Sequence, residues 1–367
     1  MKIVITGGHH SSALPVIKKL KKEHKDVKIF WIGHKYSQKG NKNPTLEFIE
    51  ITDLKIPFYD LKAGKFYKTY DPFRLIKIPF GFVHALYLLL KIRPDLILSF
   101  GGYLAVPVVL VGKFLGIKSL THEQTVVVGY ANKVISKYVD KILISWPQSE
   151  KFFPKAKVVY TGLPLRDEIF EGGNNKIELN DKLPTIYITG GKTGSHGLNL
   201  LFLDILDELV EFCNVIHQCG DNSEFDDDTQ LERKYHKFID KPGKYIVKKF
   251  TLKDEIGEIF TKSKLVVARS GAHTVSEIIA LEKPALFIPI SWVSHNEQYK
   301  NAEMVKDLGL AEIMDEEGLT SIRLLNKIKD MLANIKNYKI SDRSFKKALL
   351  KDSADLIIDE IFNLYKA

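Results

Sequence analysis

The stretch IVITGGHHSSALPVIKKL (residues 3–20) is answered near the middle of the chain by IYITGGKTGSHGLNLLFL (residues 186–203). Each runs a short β-branched or aromatic segment into Thr-Gly-Gly, then a polar loop, then apolar residues at helical spacing. A strand that turns sharply into a helix favours glycine, which tolerates positive φ and lets a ligand approach the backbone. The free amides of the helix that follows attract an anion. Neither loop is a strict G-x-G-x-x-G or a P-loop, so each taken singly reads equally well as a plain strand-to-helix turn. Together they predict the same unit twice, a pair of Rossmann-like α/β domains.

The rest of the chain extends that pattern. VKIFWIG, DLILSF, KSLTH and KILIS read as strands in the first half, and CNVIHQC, KYIVKKF, KLVVARS and PALFIPI in the second, with helical segments between. Such alternation predicts parallel sheets. With 367 residues, 45% of them hydrophobic, there is material for two cores. The expected division is a first domain over residues 1–163, a second over 164–342, and a helix within 343–367 packing back on the first.

Composition narrows function only coarsely. Lys and Arg number 54 against 45 Asp and Glu, a formal charge of +9 that favours anionic partners without choosing among nucleotides, nucleic acid and acidic membrane. Two cysteines, Cys213 and Cys219, form no C-x-x-C pair, which suits a reducing cytoplasm. Cys213, His217 and Cys219 alternate along one face of a buried strand, a packing pattern before it is a zinc site. FDDDT places Asp226 and Asp228 in the D-x-D spacing of metal-dependent sugar transferases, yet just ahead of a helix whose dipole favours acidic residues there. No secretory signal is visible, and LILSFGGYLAVPVVLVG (96–112) reads as strand, loop and buried helix because Gly101, Gly102 and Pro107 interrupt it.

A third turn carries more chemistry. In KLVVARSGAHTVSEIIALEKPALFIPI (264–290), Arg269, Ser270 and Gly271 follow a strand, and a helix is expected to start near Ala272. Small residues there would let a diphosphate sit on the amides, and Glu277 could accept both hydroxyls of a ribose. The plainer alternative makes Ser270 an N-cap and Glu277 a solvated helix residue.

This segment, with GLPLR (162–166), GGYLAVPVVLVGKFLGIKSLTHEQ (101–124), VIHQCG (215–220) and NEQYKNA (296–302), resembles the MurG family of glycosyltransferases, in collinear order over nearly the whole chain. The resemblance implies the GT-B fold, two facing Rossmann-like domains with parallel sheets. It implies inverting transfer of N-acetylglucosamine from UDP-GlcNAc to a lipid-linked muramyl-pentapeptide, with no cofactor or metal. His9 becomes the candidate general base, on the turn formed by Thr6, Gly7 and Gly8. Imidazole suits that role near neutral pH. His10 is expected to be structural, capping or packing the first helix.

Further along, Arg166 and the loop of Gly191 and Lys192 would face the UDP diphosphate. Ser270, Gly271, Ala272, His273, Thr274, Val275, Ser276 and Glu277 would hold phosphate, sugar and ribose. Gln298 would contact the donor sugar, and uracil would meet the backbone within Thr251 to Lys253. Glu123 and Thr125 would lie near the substrates. The first glycine loop is shorter than the family's, Thr125 stands where the family has Asn, and Lys192 replaces Ser. The Thr125 difference loosens the tie to one donor sugar, while Lys192 adds a cation beside the diphosphate. The readings left open are another lipid-linked acceptor, a UDP-sugar epimerase, or a non-catalytic UDP-sugar-binding module.

The basic, aromatic segment GKFYKTYDPFRLIKIPFGFVHALYLLLKIR (64–93) is expected to seat the protein on anionic lipid through residues 66–82, with a core helix beyond. The expected setting is cytoplasmic, peripheral on the inner membrane face, and nucleic acid is not an expected partner.

Overall fold

The computed structural model describes residues 1–36, 44–64, 72–172, 176–191, 194–221, 225–235, 240–252, 254–290, 296–340 and 352–367, with backbone alone at 72–77 and 235. Lys192, Lys253 and the side chains of residues 65–77 therefore lie outside it. The chain forms two compact units, one of residues 1–165 with 350–367, the other of residues 166–349.

The first unit is built on β1 (Lys2–Thr6), α1 (His10–Glu23), β2 (Lys28–Gly33), α2 (Leu46–Asp53), β3 (Phe58–Asp60), α3 (Pro72–Ile92), β4 (Leu96–Ser99), α4 (Ala105–Phe114), β5 (Lys118–Glu123), α5 (Tyr130–Ile135), β6 (Lys141–Ile144) and β7 (Val158–Tyr160). Its strands pair in parallel in the order β3-β2-β1-β4-β5-β6-β7. Ile3, Val4 and Ile5 are buried on both faces of β1, as a parallel strand covered by helices on each side requires. In α1, Ala13, Val16, Ile17 and Leu20 recur at helical spacing and are buried. Each larger aliphatic side chain there contributes roughly 1.5–3 kcal/mol through burial.

The second unit comprises β8 (Thr185–Thr189), α6 (His196–Leu203), α7 (Leu206–Leu209), β9 (Asn214–Gln218), α8 (Asp227–Tyr235), β10 (Tyr245–Lys248), α9 (Ile256–Lys262), β11 (Leu265–Ala268), α10 (Ala272–Ala280), β12 (Ala285–Phe287), α11 (Glu297–Asp307), β13 (Ala311–Ile313) and α12 (Ser321–Ala333). Its strand order is β10-β9-β8-β11-β12-β13, again all parallel. The last helix, α13 (Ser353–Lys366), returns to the first unit, where Ile357, Ile358 and Ile361 join the core beside Ile17 and Leu20. Lys118 Nζ donates to the Leu364 carbonyl at 3.1 Å, and Lys19 pairs with Asp355.

The expected parallel α/β pattern is present in both units. Three strands escape the sequence reading, β3, β7 and β13; each has three residues and lies at a sheet edge. So short a run shows no periodicity. Residues 96–112 do form strand, loop and helix, and among the described residues no helix is long and apolar enough to cross a membrane.

Candidate active site

In each sheet the strand order reverses once, between β1 and β4 and between β8 and β11. The segments leaving the carboxyl ends of those strands diverge to opposite faces and open a crevice where α/β sheets take ligands.

In the first unit that point is built from two glycine pairs. Gly7 has φ +143°, and a Cβ there would lie 2.8 Å from the Phe100 carbonyl carbon. Gly102, at φ +78°, would place a Cβ 2.7 Å from the Gly8 nitrogen. Gly8 N donates to the Gly101 carbonyl at 3.0 Å. The glycines thus serve a close backbone-to-backbone contact as well as a turn.

His9 follows as the N-cap residue of α1, exposed, with no capping bond from its ring. Desolvation by its surroundings, and to a lesser degree His10, lowers its pKa. Since the residue reaches solvent, water offsets part of that desolvation. The ring is therefore neutral at pH 7 and able to accept a proton. His10 instead pairs through Nε2 with Glu50 Oε2 at 2.8 Å, tying α1 to α2.

Three first-unit residues expected at the substrate are buried. Thr6 is fully buried, its hydroxyl without a hydrogen-bond partner among the described residues. Glu123 is a buried clamp: Oε1 accepts from Thr125 N (3.1 Å) and Oγ1 (3.0 Å), and Oε2 from Gly129 N and Asn132 Nδ2 (both 3.0 Å). Burial pushes its pKa up in spite of those bonds. Thr125, also buried, is held by that clamp. Glu123 and Thr125 therefore shape the loop after β5 through bonds to each other. Asn132, which the sequence reading missed, bonds Thr121 Oγ1 and Glu123 and sits directly below Gly101. His122 is buried too, with Nε2 2.9 Å from the Gly162 carbonyl and its pKa pushed down to about 4 by burial.

The second unit repeats the scheme with different anchors. Gly191 has φ +80° and open space where a Cβ would stand, but its N–H donates to Thr189 Oγ1 at 3.0 Å and its carbonyl accepts from Gln218 Nε2 at 3.1 Å. Its own amide is turned inward. Across the crevice α10 starts at Ala272 with Gly271 as N-cap and no side-chain cap, and the amino-terminal end of a helix favours an anion.

Ser270 is not that N-cap: it is fully buried, and its hydroxyl donates to the Gln298 carbonyl at 2.7 Å. Asn301 Nδ2 donates to the Ser270 carbonyl and Gln298 Oε1 accepts from Ile290 N, so these residues fasten α11 beside α10. Ala272, Val275 and Ser276 are buried, while His273 and Thr274 are half-buried on the first turn. Glu277 is 7% exposed rather than solvated, and Arg166 binds its Oε1 through Nε (3.0 Å) and Nη2 (2.9 Å). Thr251 Oγ1 reaches Gln218. Arg269 holds Ser195 Oγ and the Ile288 carbonyl.

The remaining candidates resolve into local structure. Cys213 Sγ donates to the Leu209 carbonyl, His217 bonds Asn199, and burial pushes the Cys213 thiol up to about 12, away from the thiolate a metal needs. Asp228 pairs with Lys249 at 2.6 Å, Asp226 accepts from Thr229, and Asp227, the first residue of α8, holds His196 and Asn199.

Two family models match, the glycosyltransferase family 28 N-terminal domain over residues 4–144 and the glycosyltransferase family 28 C-terminal domain over 185–357. A UDP-N-acetylglucosamine–N-acetylmuramyl-(pentapeptide) pyrophosphoryl-undecaprenol N-acetylglucosamine transferase of Lachnospira eligens is 32% identical over 100% of this chain and 98% of its own. The chain belongs to the MurG family of glycosyltransferases. The crystal structure of Acinetobacter baumannii MurG matches with a TM-score of 0.71 and 25% identity, covering 99% of each chain, which makes the fold GT-B. A UDP-GlcNAc 2-epimerase from Neisseria meningitidis, with a TM-score of 0.63 and 12% identity over 99% of this chain and 100% of its own, shares that fold alone. In this member of the family both switch points carry glycine turns, with His9 on one and the Arg166–Glu277 pair beside the other.

Proposed function

We propose that this chain transfers N-acetylglucosamine from UDP-GlcNAc to a lipid-linked N-acetylmuramyl-pentapeptide. The observation that carries the reading is its 32% identity, spread over both units, to a transferase named for that reaction. In this reading His9 takes the proton of the attacking hydroxyl while UDP departs from the opposite face of the sugar. A neutral imidazole is the form needed at the start of that step. The first-turn amides of α10 and Lys192 offset charge gathering on the diphosphate, so no metal is assigned a role. Glu277 has one carboxylate oxygen engaged by Arg166, leaving the other for the ribose.

A lipid-linked acceptor would be met at a membrane surface, and the face of α3 supports this reading. Phe80, Val83, Tyr87 and Leu90 follow one another at helical spacing and are all exposed, Phe80 at 54%. Ala85, Leu88, Leu89 and Ile92 on the same helix are core. The apolar exposed stripe thus runs beyond residue 82, where the sequence suggested core alone. Phe114 on α4 is 85% exposed, and exposed Lys91, Arg93 and Lys113 supply positive charge for anionic lipid. In this reading the protein sits peripherally on the inner face of the cell membrane.

Turnover with a panel of UDP-sugars and lipid-linked acceptors tests the proposal. Transfer from UDP-GlcNAc to the muramyl-pentapeptide lipid is expected; epimerised UDP-sugar formed without acceptor, or UDP binding without turnover, would replace it.

A further inference from the structure

Gln218 is the last residue of β9, the strand between β8 and β10, and its buried side chain reaches the segments leaving both neighbours. Its Oε1 accepts from Tyr187 Oη at 2.6 Å, Thr189 Oγ1 at 3.2 Å and Thr251 Oγ1 at 3.4 Å. Its Nε2 donates to the Gly191 carbonyl at 3.1 Å, and the Gly191 N–H is held by Thr189. One amide therefore fixes both polar groups of Gly191, one directly and one through Thr189, while reaching Thr251 on the other side.

A carbonyl oxygen offers two lone pairs, so three hydroxyls share it and the longest bond, from Thr251, is the weakest. Thr251 is flanked by Phe250 and Leu252, both exposed apolar residues. On the opposite side, Gly191 leaves its Cα face open.

We infer that Gln218 is a positioning residue for the donor nucleotide, locking the glycine turn after β8 to the segment after β10 so that the two bind a nucleoside diphosphate as one element. This inference rests on the donor-site reading above. Tyr187 and Thr189 share the positioning role, since Tyr187 supplies the shortest bond to the hub and Thr189 relays it to Gly191.

UDP titration of the full-length protein, with steady-state kinetics alongside, tests this. Gln218→Ala is expected to raise the UDP dissociation constant and the donor KM at least tenfold while leaving the acceptor KM within twofold. Because Gln218→Ala leaves buried hydroxyls unpaired and could weaken folding, a double-mutant cycle provides the second measurement. Thr189→Val and Thr251→Val should couple by more than threefold in UDP affinity, and the coupling should vanish when both are made on Gln218→Met. Thr251→Ser should restore what Thr251→Val loses. Additive effects of the two valines, or unchanged UDP affinity in a folded Gln218→Ala, would overturn the inference with the donor site intact. Failure of the unmutated protein to bind UDP would overturn the inference and the donor-site reading together.

Discussion

Arg166 grips a single oxygen of Glu277, with Nε at 3.0 Å and Nη2 at 2.9 Å from Oε1, so this carboxylate on α10 is held in one orientation by the protein itself. A ribose diol bound there would meet a fixed acceptor.

Glu277→Ala should therefore weaken UDP binding by roughly 1.5–3 kcal/mol, the worth of a hydrogen bond to a charged group. Arg166→Ala should lose part of that by freeing the carboxylate to turn. Calorimetric titration with UDP measures both, and unchanged affinity in Glu277→Ala would remove the ribose assignment.

The neighbouring histidines should separate cleanly. His9→Ala should lower kcat by about 10²–10⁴-fold with donor affinity nearly intact, the usual weight of positioned proton transfer. His10→Ala loses the tie to Glu50 and should cost only modest stability. Full activity in both variants would end the general-base assignment.

The acid limb of kcat/KM should follow His9. Its pKa is lowered, so the base stays neutral through pH 7 and activity should fall only as pH drops through a midpoint below 6.5, the ordinary histidine value. A midpoint above 6.5 in the pH–rate profile would contradict that environment.

Stability should fall in acid for a separate reason. His122 and His217 are buried, with pKa values pushed down to about 4 and about 3, so the unfolded chain binds protons first. Their neutral state is fully compatible with folding above pH 6.5, and stability is lost as pH falls from there toward those values, by up to roughly 3 kcal/mol for His122 at 1.36 kcal/mol per pKa unit. Denaturant unfolding between pH 8 and pH 4 reads this out; a flat curve would refute it.

If the exposed stripe of α3 meets lipid as proposed, Phe80→Ser, Val83→Ser, Tyr87→Ser and Leu90→Ser combined should reduce binding to anionic vesicles while sparing turnover of a water-soluble acceptor analogue. Vesicle sedimentation compared with soluble-acceptor kinetics distinguishes this from misfolding. Retained vesicle binding would overturn the assignment of this stripe to lipid.

The repeated Thr-Gly-Gly turns, the alternation of strand and helix, and the start of α10 at Ala272 are legible along the chain because each depends on neighbours within a few residues. A strand buried on both faces reads as a continuous β-branched run, and a glycine turn marks its own place. Residue chemistry also marks Glu277 as a candidate, and the family resemblance adds His9 and Arg166. What folding alone decides is who meets whom. Gly7 must be glycine because Phe100, more than ninety positions away, lies against it, and Glu123 is a loop clamp because Asn132 and Gly129 come within reach of its carboxylate. Gln218 becomes a hub only when β9 is set between β8 and β10. The part of the stripe from Val83 to Leu90 reads as core because the chain records that those residues are apolar, whereas only packing determines which side of α3 is covered. Local propensity acts through bonds and spacing that the sequence displays; hydrogen bonds and burial between distant segments depend on strand order, which no single stretch contains.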